Sequence, residues 1–217
     1  MFFQNTFKTL VRANTKGRNA IKNKRLWILL GGFVLIGVAF LLLDFRVAAS
    51  NIQTEKLIFT TDMGQDMPVL MQRRDNINVV LVGEGPLVPA LQKALTEQMG
   101  KAGIGEIDLV QELEPVYQNP VLVVKVGKPG PIWTPFFAMS QFSVHAGYAS
   151  DGDYTFMEGV EKTHTSIGKK DVANMYAEYE VNDRSFGLVS RPGYHQFLGD
   201  YLAQEIVAAL KDLYHVH

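Results

Sequence analysis

The 217-residue chain contains no cysteine. Disulfides, thiolate metal sites, cysteine nucleophiles and the lipidated cysteine of a bacterial lipoprotein are excluded from it. Acidic residues are missing from one region only. Residues 1–25 carry seven basic side chains (Lys8, Arg12, Lys16, Arg18, Lys22, Lys24 and Arg25) and no acidic one. The remainder holds 14 basic against 22 acidic residues, a net of −8 beneath an overall charge of −1. That split between tail and body is a topology signal.

Catalytic motifs are equally scarce. No serine sits in G-x-S-x-G. The histidines at 145, 164, 195, 215 and 217 lack HExxH spacing. Gly83-Glu84-Gly85 begins like a dinucleotide-binding turn, but Val88 stands where a third glycine belongs. Pro86 also removes an N–H that a phosphate needs, and Glu84 adds a negative charge, so the stretch reads as a structural strand-to-helix turn. Asp151-Gly152-Asp153 lacks the downstream ligands and closing glutamate of a calcium loop and reads as a turn. The acidic stretches "EIDLVQELEP" and "EYE" read as solvated strand faces. No catalytic residue, cofactor or metal is assigned, and a non-enzymatic role is expected.

What is present begins with Leu26–Leu43, eighteen residues without a charge. As a helix they span about 27 Å, close to the roughly 30 Å hydrocarbon core of a bilayer. Trp27 suits the interface, and the flanking Lys24 and Arg25 predict a cytoplasmic N-terminus with the C-terminal domain outside the cytoplasm. A cleaved signal peptide competes, since "VAAS" at 47–50 offers small residues. The long basic region and long apolar run favour an uncleaved single-pass anchor instead. The seven basic residues and Trp27 are therefore expected at the membrane surface, with lipid as a partner. The basic stretch lacks aromatic residues between its charges, so no nucleic acid is expected.

The predicted organisation is a basic tail over 1–25, a transmembrane helix over 26–45, a linker with short strands over 46–76, and an extracytoplasmic domain over 77–217. Within that domain "NVVLV" and "PVLVVKV" read as buried strands. Leu87, Leu91, Leu95 and Met99 share one helical face. Phe136 to Tyr148 alternates as a half-buried strand, and "MYAEYEV", "NDRS" and "FGLVS" read as a hairpin. A closing helix starting near Pro192 or Gly193 carries an apolar stripe from Tyr194 to Leu213. The expected fold class is one transmembrane α-helix plus a two-layer α+β sandwich, its mainly antiparallel sheet covered on one face by two helices. The order of elements is similar to that of small envelope domains that help assemble transport or secretion machinery.

"GPIWTPFF" (130–137) is the stretch that points to function. Two prolines stiffen a loop carrying Trp133, Phe136 and Phe137, and rigid aromatic loops make contact anchors. The competing role for Trp133 is to cap its own core. These features predict a membrane-anchored assembly subunit that binds partner proteins in an envelope complex. The alternatives are a membrane-tethered small-molecule sensor and, behind it, a hydrolase assembled from distant loops.

Overall fold

The computed structural model describes residues 27–60, 76–114, 116–128, 130–163 and 172–215. The chain divides between Leu43 and Asp44 into two compact units. The first contains a helix, α1, over residues 27–42, whose large side chains (Trp27, Phe33, Leu35 and Leu42 among them) are exposed.

The second unit runs β1 (Arg46–Thr60), β2 (Ile77–Val82), α2 (Leu87–Ala102), β3 (Ile107–Val110), β4 (Val121–Val126), β5 (Ile132–Thr134), β6 (Phe137–Ala149), α3 (Phe156–Thr163), β7 (Asn174–Val189) and α4 (Arg191–His215). Its seven strands form one mixed sheet in the order β1-β7-β6-β4-β2-β3, with β5 paired to β6. The contacts of β1 with β7, β7 with β6, β6 with β4 and β5 with β6 are antiparallel, whereas β2 lies parallel to both β3 and β4.

One face carries α2 and α4. The helical stripe Leu87, Leu91, Ala94, Leu95 and Met99 is fully buried, and α2 closes on Gly103 in the left-handed conformation. Ser190 caps α4: its hydroxyl accepts the Gly193 N–H at 3.0 Å, satisfying a free donor of the first turn. The same hydroxyl and backbone clasp Phe45 at the entry to β1, through Phe45 N–H to Ser190 Oγ at 2.9 Å and Ser190 N–H to Phe45 O at 3.0 Å. The two helices approach closely at Gly199, where a Cβ would stand 2.8 Å from the Ala90 carbonyl carbon.

Among the described residues, the opposite face is covered at one end only. There α3 sets Met157 and Val160 against Val80, Val121, Val123, Ala149 and Tyr176. Gly147 makes room for it, since a Cβ at that position would fall 2.1 Å from the Met157 sulfur.

The sequence expectation of a transmembrane helix and a mainly antiparallel sandwich with helices on one face is corrected in three respects. Among the described residues no helix is long and apolar enough to cross a membrane. The described helix, α1, ends at residue 42, and its sixteen residues reach about 24 Å. The sheet is mixed, because α2 carries the chain from β2 back to a parallel β3, a crossover that a tight hairpin cannot make. The second face bears α3, which periodicity over so short a segment did not signal. The expected turn at "NDRS" is also absent, and 174–189 is one continuous strand. The segment read as linker contains β1, fifteen residues long. The basic residues Lys8, Arg12, Lys16, Arg18, Lys22, Lys24 and Arg25 lie outside the described residues.

Two glycine substitutions should differ in sign. Gly199→Ala forces α2 and α4 apart and is expected to cost about 1–3 kcal/mol. Gly100→Ala, in α2 with no atom within 4 Å of its Cβ position, should stabilise by up to about 1 kcal/mol. Thermal unfolding of both variants checks this.

Candidate functional site

The uncovered part of the sheet is built by three long strands in locked register. β7 pairs with β1 from Arg46↔Val189 to Thr60↔Met175 and with β6 from Phe137↔Phe186 to Ala149↔Asn174. Side chains alternate between faces along each strand. Even-numbered residues of β1 and β6, and odd-numbered residues of β7, face the helices. Their neighbours face outward in cross-strand rows.

At one end these rows are apolar. Val47 lies opposite Leu188, and Ala49, Phe186 and Phe137 share the next row. The rings of Phe137 and Phe186 meet with centroids 5.0 Å apart. Ile132 pairs with Met139 beside them. Val47 is 74% exposed, Phe186 60% and Phe136 67%. Farther along, the rows turn polar, with Asn51 and Arg184, then Gln53, Asn182 and Gln141, then Glu55, Glu180 and Ser143. Leu57, Glu178 and His145 form the next row, and the His145 Nδ1 lies 2.7 Å from the Tyr176 hydroxyl where α3 begins to cover the sheet. Lys125 and Glu161 close that end with a 3.0 Å ion pair. The face is an apolar strip bordered by a hydrogen-bonding band, the composition of a protein contact surface.

The "GPIWTPFF" stretch shapes the apolar end. β5 and β6 form a hairpin whose two-residue loop is Pro135-Phe136, closed by Phe137 N–H donating to Thr134 Oγ1 at 3.0 Å. The loop is tied to β7 by Gly187 N–H to Phe136 O and Val189 N–H to Pro135 O, both 3.0 Å. Gly187 is obligatory there, because its φ is +130° and a Cβ would lie 2.5 Å from Val47 O. Of the three residues singled out by sequence, Phe136 sits exposed at the loop and Phe137 lies half-buried against Phe186. Trp133 packs half-buried against the main core, and its indole N–H donates to Val189 O at 3.2 Å. Trp133 therefore holds the hairpin in place while Phe136 faces solvent. Sequence reasoning missed Val47, Phe186 and Leu188. The signal was the unbroken alternation through 184–188, hidden by the turn-like "NDRS".

Beneath the strip, on the helix side, lies a buried polar cluster. The Arg46 guanidinium stacks 3.6 Å over the Phe197 ring and donates to Ser50. Ser50 Oγ is 2.5 Å from Ser185 Oγ, and Ser185 donates to Asp183 at 2.9 Å. The Tyr194 hydroxyl faces Asp183 and Ser140 without an ordinary hydrogen bond to either. Burial raises the Asp183 pKa, against the opposing pull of the Tyr194 and Ser185 hydroxyls and of Arg46. Burial likewise raises Tyr194 and lowers Arg46. The cluster holds β1, β7 and α4 together; Asp183 is inaccessible to solvent.

The glycine turn is a structural corner. Gly83 approaches β4 so closely that a Cβ would lie 2.9 Å from Val126 O, and Gly85 takes a φ of +97°. Asp151-Gly152-Asp153 is a turn in which Asp153 N–H donates to Asp151 at 3.1 Å. Among the described residues no three His, Cys, Asp or Glu side chains gather to hold a metal.

No family model and no curated protein matches the chain. Among solved structures it is similar to the PelC dodecamer from Paraburkholderia phytofirmans, at 11% identity and a TM-score of 0.38 over 70% of this chain and 97% of that one. A second PelC dodecamer structure from that organism gives 13% identity and a TM-score of 0.37, over 72% and 97% of the two chains. A minor lipoprotein from Acinetobacter baumannii gives 13% and 0.34, over 63% and 92%. Likenesses at this level assign no function.

The site's scaffold carries a pH dependence. Burial, then the charge of Arg191, lowers the His195 pKa below its ordinary 6.5. As pH falls through 6.5 the unfolded chain takes up a proton that native His195 resists, so acid destabilises the fold. Tm is expected to drop between about pH 7 and about pH 5.5, and His195→Gln to flatten that slope. Parallel curves for the two proteins would assign the loss to another group.

Proposed function

We propose that the chain is a membrane-associated binding or assembly subunit of an envelope complex, taking a partner protein on the open face of β1, β7 and β6. The observation that supports it is the apolar strip of exposed Val47, Phe136, Phe186 and Leu188 around half-buried Phe137, held on strands paired along their length. Apolar side chains fixed on a rigid sheet lose little conformational entropy on binding, which favours their use as anchors. Trp133 is the positioning residue, since it fastens the hairpin that presents Phe136.

Membrane association rests on α1 and the residues before it. The helix is apolar and exposed around its length, and leaving that surface in water costs about 25 cal/mol per Å². Contact with lipid acyl chains removes that surface from water. Each of Lys8, Arg12, Lys16, Arg18, Lys22, Lys24 and Arg25 near anionic headgroups adds about 1 kcal/mol.

Fractionation of source cells tests both parts. The chain should sediment with membranes and, after mild detergent extraction, migrate above its 24.2 kDa mass. Phe136→Asp with Phe186→Asp should abolish that larger species without changing Tm by more than about 2 °C. Trp133→Ala should weaken association while the fold persists, because the half-buried ring borders the core rather than filling it; global unfolding would contradict that positioning role. A strict monomer co-purifying with nothing would overturn the proposal.

A further inference from the structure

Beyond the open face, the geometry points to a second contact surface: we propose that β1 pairs along its outer edge with β1 of a second copy, antiparallel about a two-fold axis through Gln53. Among the described residues β1 has one neighbour, β7. Its register with β7 advances without a bulge over all fifteen residues, and it contains no proline. One row of backbone N–H and C=O groups therefore faces outward along the strand. Edges are protected by shortness, bulges, proline or charge; β1 is long, unbulged and free of proline, and its Lys56 is paired with Glu205 of α4 at 3.4 Å.

The sequence of β1 is complementary to its own reverse. An axis through Gln53, the middle residue of Arg46–Thr60, places Val47 opposite Phe59 of the second copy. Ala48 then meets Ile58, Ala49 meets Leu57, Ser50 meets Lys56, and Asn51 meets Glu55. Every apolar residue but Ile52 meets an apolar one, and no charge meets its like. The exposure of the strand's two ends fits this pairing: Val47, Leu57 at 43% and Ile58 at 38% are the side chains the second copy would cover. Moving the axis to Ile52 sets Glu55 against Ala49 and Lys56 against Ala48. Moving it to Thr54 sets Lys56 against Ile52. The register through Gln53 also uses the whole strand, and residues of like parity face the same side of the joined sheet. The open faces of the two copies then run together, with Leu57 and Phe59 of each beside Val47 and Ala49 of the other.

Absence of cysteine makes the test specific, because any disulfide in a single-cysteine variant joins two chains. In the full-length protein in mild detergent, Gln53→Cys brings two thiols opposite each other, with Cα atoms about 4.5–5.5 Å apart, inside disulfide range. Asn182→Cys, one strand inward on the same face, stays about 14 Å from its counterpart. Gln53→Cys should oxidise to dimer at least about tenfold faster than Asn182→Cys. A mixture of Asn51→Cys and Glu55→Cys chains should cross-link faster than either alone. Ala49→Lys with Leu57→Lys, which opposes lysines across the axis, should shift the native mass to monomer with an unchanged circular dichroism spectrum. Equal rates at 53 and 182, or a dimer that survives the lysine pair, would overturn the proposal. Association through α1 or through the open face gives those results, as does a foreign strand on the edge. Loss of the partner complex proposed above would leave the cross-linking of the Gln53→Cys variant unaffected.

Discussion

The structure depends on β7 being paired on both edges at once. β1 runs beside fifteen of its residues and β6 beside thirteen. A slip of one residue would carry every side chain to the other face. Met175, Ala177, Tyr179 and Val181 would leave the core, and Glu178, Glu180 and Arg184 would enter it. Two neighbours hold this register, so the helix face and the open face are defined together. α4 follows directly from β7 through the Ser190 cap and lies over the first face. α3 reaches only the Tyr176 end of the second. What remains uncovered is the apolar strip with its polar border, because no further element of the described fold extends that far.

Keeping β7 continuous requires a carboxylate to be buried in mid-strand. Asp183 lies on the helix side and is inaccessible to solvent. An isolated buried carboxylate is costly, and its neighbours offset the cost: the Ser185 hydroxyl, the Tyr194 hydroxyl and the charge of Arg46. Arg46 opens β1 and Tyr194 opens α4, so the residues that make Asp183 tolerable also join the edge strand to the helix. The raised Asp183 pKa acts with opposite sign to His195. Its contribution to stability falls as pH rises above about 3.8, whereas that of His195 falls as pH drops below 6.5.

Legibility in the sequence followed the same physics. The faces of α2 and α4 were readable because one apolar stripe at helical spacing had to be buried. The strand at 121–126 was readable because an apolar run of that length suits a strand buried on both faces. β1 was legible only as short pieces such as "KLIF", since residues 48–54 are small or polar apart from Ile52 and the pairing partner lies more than a hundred positions away. "NDRS" carries turn-forming residue types, and only the distant Ser50 and Arg46 show why Asp183 stays in the strand. Parallel pairing of β2 with β4 is likewise a long-range matter. The apolar character of 26–43 is plain in the sequence, and the described helix ends at residue 42, one residue inside that run. In the candidate site, Phe136 and Phe137 were visible as a local aromatic cluster. Val47, Phe186 and Leu188 join them only through the register.

The central claim is that the open face of β1, β7 and β6 is where this protein meets another protein. Maleimide labelling of a Phe186→Cys variant in intact source-cell membranes, compared with the same full-length variant purified in detergent, reads that face directly. Labelling of the purified chain should be rapid, and the same cysteine should be protected in the membranes. Lys211→Cys, exposed on α4, should label equally in both. Equal labelling of the Phe186→Cys variant in the two preparations would contradict the claim.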